Sequence, residues 1–195
     1  MSKAERTRQF IIEKTAPLFN TKGYAGTSIA DLTDATGLTK GSIYGNFENK
    51  DEVALAAFDY NLAQVVKILN AEIEKQSTVK DKLMVYVRVY DNFLKYPFPP
   101  GGCPIMNTAI EADDTHPLLK KKAADAFSAW KIKLTKLVKM GIENKEFRTE
   151  VNPEQVALTI IAMIEGAVMI TKLTGKTNFR KAILQSAEKL IEDLK

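Results

Sequence analysis

Apolar residues recur every three to four positions along nearly every segment longer than ten residues, and strict alternation is absent. That periodicity predicts helices and no strands. A first helix is expected over 2–22, with Phe10, Ile11, Leu18 and Phe19 facing inward and Gly23 as its stop. Pro17 lies inside it, where proline removes a backbone bond and costs about 3 kcal/mol, so a kink or opened turn is expected. Thr27-Ser28-Ile29-Ala30-Asp31 reads as a capped start of a short second helix that ends before Gly37. A third begins at Thr39 and runs to about Tyr44, with Phe47 packing beneath it. Asn49 and Glu52 have the spacing of a capping box and open a long helix through about Lys75. Further helices are expected at 79–96, 103–112, 117–144, 153–173 and 179–194. Pro97 to Gly102 breaks the run, while Pro117 and Pro153 stand where a first turn tolerates proline. The fold class is all-α: a small helical domain over 1–48, then a larger bundle over 49–195.

Composition narrows compartment and partners. The 195 residues are 45% hydrophobic and 27% charged, enough for a real core and unlike disordered or disulfide-dense chains. One cysteine allows no internal disulfide, which suits a reducing cytoplasm. The charged start leads into no apolar stretch long enough for a signal peptide. The longest apolar passage, 156–170, contains Glu165 and is shorter than the roughly 20 residues of a spanning helix. No membrane partner is expected. The net charge of +4 permits polyanion binding without arguing for it.

The stronger signal is the pair of short helices around Gly37. Leu32, Gly37, Leu38 and Ile43 stand at the offsets that a helix-turn-helix needs for packing and for its tight turn. Such a pair presents the start of its second helix to the DNA major groove while the first crosses the backbone. Here the presented residues are Thr39, Lys40, Gly41 and Ser42, with Tyr44, Gly45 and Asn46 nearby. Small residues at 41 and 42 allow close approach. Lys40 offers a cation to a guanine edge or a phosphate, and Asn46 can bond a phosphate or an adenine. One alternative, within DNA binders, is an activator or architectural protein, since the motif fixes contact with DNA but not the sign of regulation. The other is a helical-bundle enzyme or ligand carrier whose N-terminal motif is merely structural. Against the latter stand a single histidine outside any nucleophile constellation and the lack of a phosphate-cradling glycine loop or paired Glu-x-x-His motifs.

Residues 8–55 resemble the DNA-binding region of TetR/AcrR-family transcriptional repressors. The likeness is carried by Leu18-Phe19, Lys22-Gly23-Tyr24, Thr27-Ser28-Ile29, Gly37-Leu38 and the run from Lys40 to Phe47. The resemblance implies a homodimeric, ligand-responsive repressor with three N-terminal helices on double-stranded operator DNA. It implies that Thr27 and Ser28 touch phosphates, that Thr39, Lys40, Gly41 and Ser42 lie in the groove, and that Tyr44 and Lys50 clamp the backbone. Two positions depart from the family pattern. Gly45-Asn46 replaces a bulky pair, often histidines, and Thr33 replaces a small alanine, which is tolerable if its hydroxyl bonds the preceding turn.

In the second half, the passage 156–170 is apolar nearly all round and needs cover on more than one side. Ile160, Gly166 and Ile170, with Phe179, Ile183, Ala187 and Leu190, are the expected dimer interface; the alternative is a central helix buried within one chain. An effector pocket, largely apolar and between helices, is expected to draw on Tyr86, Tyr90, Phe93, Cys103, Met106, Phe127, Trp130 and Met163. Cys103 stands at a helix start, where a thiol can become a reactive thiolate, or it is simply a buried small residue. Glu111, Asp113, Asp114 and His116 cluster in sequence but read as capping or solvated groups. No metal and no cofactor are expected.

Overall fold

The computed structural model describes residues 2–92 and 96–195. Among them the chain is all-α, in nine helices: α1 (Lys3–Lys22), α2 (Ile29–Thr36), α3 (Lys40–Tyr44), α4 (Lys50–Ile73), α5 (Val79–Asp91), α6 (Pro104–Ala112), α7 (Pro117–Glu143), α8 (Pro153–Thr174) and α9 (Thr177–Glu192). They pack as two compact units. The first holds Met1–Val65 and Pro99–Asp125, the second Val66–Phe98 and Ala126–Lys195. This packing division lies elsewhere than residue 48, because the start of α4 and all of α6 belong with α1 to α3.

In the first unit each early helix is closed by local chemistry. The Ser2 hydroxyl accepts the Glu5 amide while the Glu5 carboxylate accepts that of Ser2. Ser28 and Asp31 repeat this reciprocal cap on α2, satisfying amides that a helix start leaves open. Gly37 ends α2 with φ +67°, a left-handed conformation that glycine adopts without penalty. Thr39 caps α3 by accepting the Ser42 amide at 3.1 Å. The Thr33 hydroxyl bonds the Ala30 carbonyl at 2.8 Å, so the departure at 33 is satisfied within its own turn. Ile11, Leu32, Ile43, Phe47 and Val53 form the buried core beneath, with Leu18 and Phe19 packed against its edge.

Two expectations for α1 are corrected. Phe10 is 38% exposed, because it lies one position off the buried stripe of Ile11, Thr15, Ala16 and Asn20. The helix also runs unbroken through Pro17. Proline deprives the Glu13 carbonyl of its helical partner, but Glu13 lies on the exposed side, where water can satisfy it. On the inner side, Asn61 donates to the Ala16 carbonyl at 2.8 Å.

The loop before α6 and α6 itself are tied to the end of α1 by polar contacts. Asn20 donates to the carbonyls of Pro100 and Gly102, and Asn107 donates to those of Asn20 and Gly101, all at 2.6–3.0 Å. The Glu111 carboxylate accepts the Tyr24 and Ala25 amides, each at 2.8 Å. A Cβ at Gly101, where φ is +91°, would stand 2.5 Å from the Asn20 carbonyl oxygen. Glycine is the residue that lets the two backbones meet there.

In the second unit α5 is the most enclosed helix, buried from Leu83 to Tyr90 except at Arg88. It ends at Asp91 rather than near 96: Asn92 is its C-cap, leaving helical dihedrals at φ −115° and ψ 31° while its side chain bonds back to the Arg88 carbonyl. Glu146 holds the other end by accepting the Val79 and Lys80 amides. α8 and α9 pack on each other and on α5. α8 has 22 residues, and an 18-residue stretch of it has a mean hydropathy of 1.9, so it is long and apolar enough to cross a membrane, longer than the 156–170 passage implied. Its Val156, Ala157, Ile160, Ile161, Ile164, Ala167 and Val168 are instead buried in the unit's core.

The cap of α2 yields a pH prediction. Lys22, at 2.5 Å, and then the Ser28 hydroxyl and amide hold the Asp31 carboxyl far below the usual carboxylate range. A depressed native pKa stabilises the fold above the unfolded value of about 3.9, and that contribution fades as pH falls through the native value. Asp31→Asn should therefore lower the melting temperature at pH 7, and the gap to the parent should shrink as pH is stepped below about 4. A gap constant across that range would show that the charge is not its source.

Candidate nucleic-acid interface

The helix-turn-helix leaves one row of residues outward. Ser28, Thr39, Lys40 and Gly41 are exposed, and Ser42, Tyr44, Asn46 and Lys50 are partly so. Beneath them Leu32 and Ile43 are fully buried, fixing how α2 crosses α3. Thr27 does not belong to this row. It is fully buried and its hydroxyl donates to the Gly23 carbonyl at 2.6 Å, closing the α1–α2 turn instead of meeting a phosphate. The Asn46 amide donates back to the Ser42 carbonyl at 2.9 Å, which uses one of its two side-chain N–H donors.

The two lysines are presented differently. Lys40 stands 5.9 Å from the Tyr44 ring centroid on an exposed site, free to sweep toward a base edge or a phosphate. Lys50 is held 4.2 Å from the Tyr24 ring centroid. Tyr24 is itself anchored, its hydroxyl donating to Asp51, and that bond, with burial, pushes the phenol up to about 12. His116 meets the Tyr24 ring edge-on at 4.5 Å. The α4 start thus carries a cation whose ammonium is held in place by the Tyr24 ring.

Other expected site residues separate by unit. Tyr86, Tyr90 and Trp130 come together in the second, the Trp130 ring 6.5 and 5.8 Å from those of Tyr86 and Tyr90 and nearly parallel to both. Trp130 is 8% exposed, and its indole N–H is buried with no hydrogen-bond partner among the described residues. Burial alone pushes the Tyr86 phenol up to about 12. Phe127 and Met163 are half-buried in the same unit, whereas Cys103 and Met106 lie in the first. Phe93 falls outside the described residues. Cys103 is the N-cap of α6 and 1% exposed, so a solution electrophile reaches it only if that loop opens. Of the acidic cluster, Glu111 is spent on the α1–α2 turn, Asp113 accepts the Asp114 amide, and His116 accepts that of Leu119.

The expected interface residues also divide. Ile160 and Ala187 are fully buried in their own chain's core, so they are unavailable to a partner. Gly166 faces open space, Phe179 is exposed, and Ile170, Ile183 and Leu190 are half-buried. Leu158, Met169 and Leu173 are exposed large apolar residues on α8, Leu173 at 82%. Their helical spacing from Gly166 was readable in the sequence, but not the choice between inner and outer faces of a helix apolar all round.

Sequence reasoning missed Arg8 and, for Glu111, the partners that its carboxylate caps. Both are charged residues on otherwise ordinary amphipathic helices, and their partners lie 38 to 87 residues away.

Comparison with known proteins agrees with this geometry. Residues 11–57 match the model for bacterial regulatory proteins of the tetR family, and residues 79–187 the tetracyclin repressor-like C-terminal domain. A TetR-family transcriptional regulator from Cytophaga hutchinsonii superposes with a TM-score of 0.97 at 50% identity, covering 100% of this chain and 98% of that one. A TetR transcriptional regulator from Chloroflexus aurantiacus J-10-FL gives 0.93 at 38% identity, covering 98% and 97%. The HTH-type transcriptional repressor DhaR of Mycobacterium sp. (strain GP1) is 27% identical over 171 residues, 85% of this chain and 82% of that protein. With one family model on its helix-turn-helix, another across its second half and a half-identical relative along its whole length, the chain belongs to the TetR family of DNA-binding transcriptional regulators and not to an enzyme family.

Proposed function

We propose that the protein is a cytoplasmic repressor that binds a roughly palindromic operator as a homodimer and lets go when a small molecule binds its second unit. The observation that carries this reading is the outward row from Thr39 to Ser42, small or flexible side chains set on the fully buried Leu32 and Ile43. In it Thr39, Lys40, Gly41 and Ser42 enter the groove. Ser28, Tyr44, Asn46 and Lys50 meet the flanking backbone.

A second copy fits the apolar stripe of α8. Leu158, Gly166, Met169 and Leu173 recur on its outer side, with Phe179, Ile183 and Leu190 on α9. The lack of a side chain at 166 lets two helices approach closely. Twofold symmetry then sets the two recognition helices about 34 Å apart, one DNA turn, and makes the operator a near palindrome.

For the effector, the Trp130 ring with Tyr86 and Tyr90 supports a largely apolar molecule carrying a hydrogen-bond acceptor for the buried indole N–H. Phe127 and Met163 supply further apolar surface. A donor left open in such a place costs about 1–3 kcal/mol, which a bound acceptor recovers. Release is a population shift: the effector favours an arrangement in which the recognition helices no longer match the operator. α4, which starts in the first unit and ends in the second, is the lever. Couplings of this kind are about 1–3 kcal/mol, or roughly 5–150-fold in affinity.

Three experiments test these parts. Against a duplex selected from a random pool by the parent protein, Lys50→Ala should weaken binding and reduce the slope of log affinity on log salt by about 0.9; an unchanged slope removes the phosphate contact. In sedimentation, Leu173→Glu should shift dimer to monomer and abolish operator binding at concentrations where the parent binds; a dimeric variant would place the interface elsewhere. Trp130 is the chain's one tryptophan, so an effector seated on it should alter its fluorescence while weakening operator binding by roughly 5–150-fold. A compound that releases DNA without touching that signal would bind at another site.

A further inference from the structure

A helix of five residues cannot hold its own direction. α3 spans Lys40–Tyr44, far short of the dozen or so residues that an isolated helix needs to persist in water. Thr39 fixes its start. Its far end, where Gly45 and Asn46 leave the helix, is gripped by a residue from the other side of the domain. The Arg8 guanidinium donates one N–H to the Asn46 carbonyl and another to the Glu52 carboxylate at 2.6 Å, and it lies 3.9 Å from the Phe47 ring centroid. Asn46 passes the hold onward through its own side chain to the Ser42 carbonyl. Glu52 is in turn set by the α4 start: its second oxygen accepts the Glu48 amide at 2.7 Å, and its amide donates to Asn49. The Glu48 amide and then Arg8 hold the Glu52 carboxyl below the usual carboxylate range.

We propose that Arg8 is a positioning residue for sequence recognition, a fork that clamps the C-terminal end of α3 to Phe47 and to Glu52 on α4 and so sets the angle at which Lys40 to Ser42 meet the bases. The chemistry requires arginine. Two parallel donors and a flat face serve a carbonyl, a carboxylate and a ring at once, which a lysine ammonium cannot do. The ion pair on its own contributes little, since both side chains are more than a third exposed. Its effect lies in geometry.

The inference rests on the DNA-binding reading, and its test separates the two. The probe is a duplex selected from a random pool by the parent protein, with a scrambled duplex of equal length beside it, titrated over a salt series. Arg8→Lys keeps the charge and loses the fork; Glu52→Gln keeps the shape and loses the acceptor's charge. Each should lower affinity for the selected duplex about tenfold while leaving the scrambled one and the salt slope unchanged. The double variant should be no worse than the weaker single one, as expected of residues acting as a pair. Helical circular dichroism at the assay temperature checks folding. Glu52→Gln is decisive in sign: removing a negative charge beside DNA tightens binding if electrostatics alone matters, and weakens it if the clamp matters. Tighter binding by Glu52→Gln, or parental affinity with Arg8→Lys, would overturn the assignment. So would a slope loss of about 0.9 in Arg8→Ala, which marks a phosphate contact. If the parent itself selects no sequence, the DNA-binding reading fails and not the clamp alone.

Discussion

The constraint on which the rest depends is that the outward row of the helix-turn-helix is built on a helix too short to stabilise itself. A five-residue α-helix closes only a turn or so of hydrogen bonds, and the entropy of fixing its dihedrals exceeds what those bonds return. Its order is borrowed from Ile43 and Leu32 below, Thr39 at one end, and Arg8 with Phe47 at the other. The exposed residues between those supports are left small or flexible. Stability and recognition are thus divided among different residues, which lets the outward positions vary without unfolding the domain.

The first half of this arrangement was legible because its signals are local. A cap joins residues three apart, as in Ser28 with Asp31 or Thr39 with Ser42, and Gly37 advertises a left-handed turn wherever it falls. Family resemblance then raised the pair from a common motif to a DNA reader. What stayed hidden is long-range. Arg8 and Glu111 look like any charged residue on a solvated face until the fold brings Asn46, Glu52, Tyr24 and Ala25 to them. Thr27 misled for the converse reason: a threonine at a helix entrance suits a phosphate and a buried turn equally, and only its zero exposure decides.

Apolar periodicity failed where it was strongest. α8 is apolar on every side, so the pattern could not separate Ile160, locked in its own core, from Leu173, left in water. α5 shows the opposite case. Lys80, Asp81, Lys82 and Arg88 dilute its average, yet most of it is buried, because a helix charged at its ends and at one point on its side can still be wrapped elsewhere. Its end at Asp91 is set where Asn92 leaves helical dihedrals, which no breaker at that position marks.

The grip of Asn107 and Glu111 on the end of α1 means that the first unit is not contiguous in the chain. Its early helices leave the ribosome well before residue 111 is added, and at about 5–20 residues per second the Tyr24 and Ala25 amides must stay hydrated for some seconds. The nascent head of the protein can collapse around Ile11 and Ile43 in that interval, but its turn stays open until α6 has been synthesised. The same topology limits modular exchange: a chimaera spliced at residue 48 would inherit the reading helices and lose the carboxylate that closes the loop behind them.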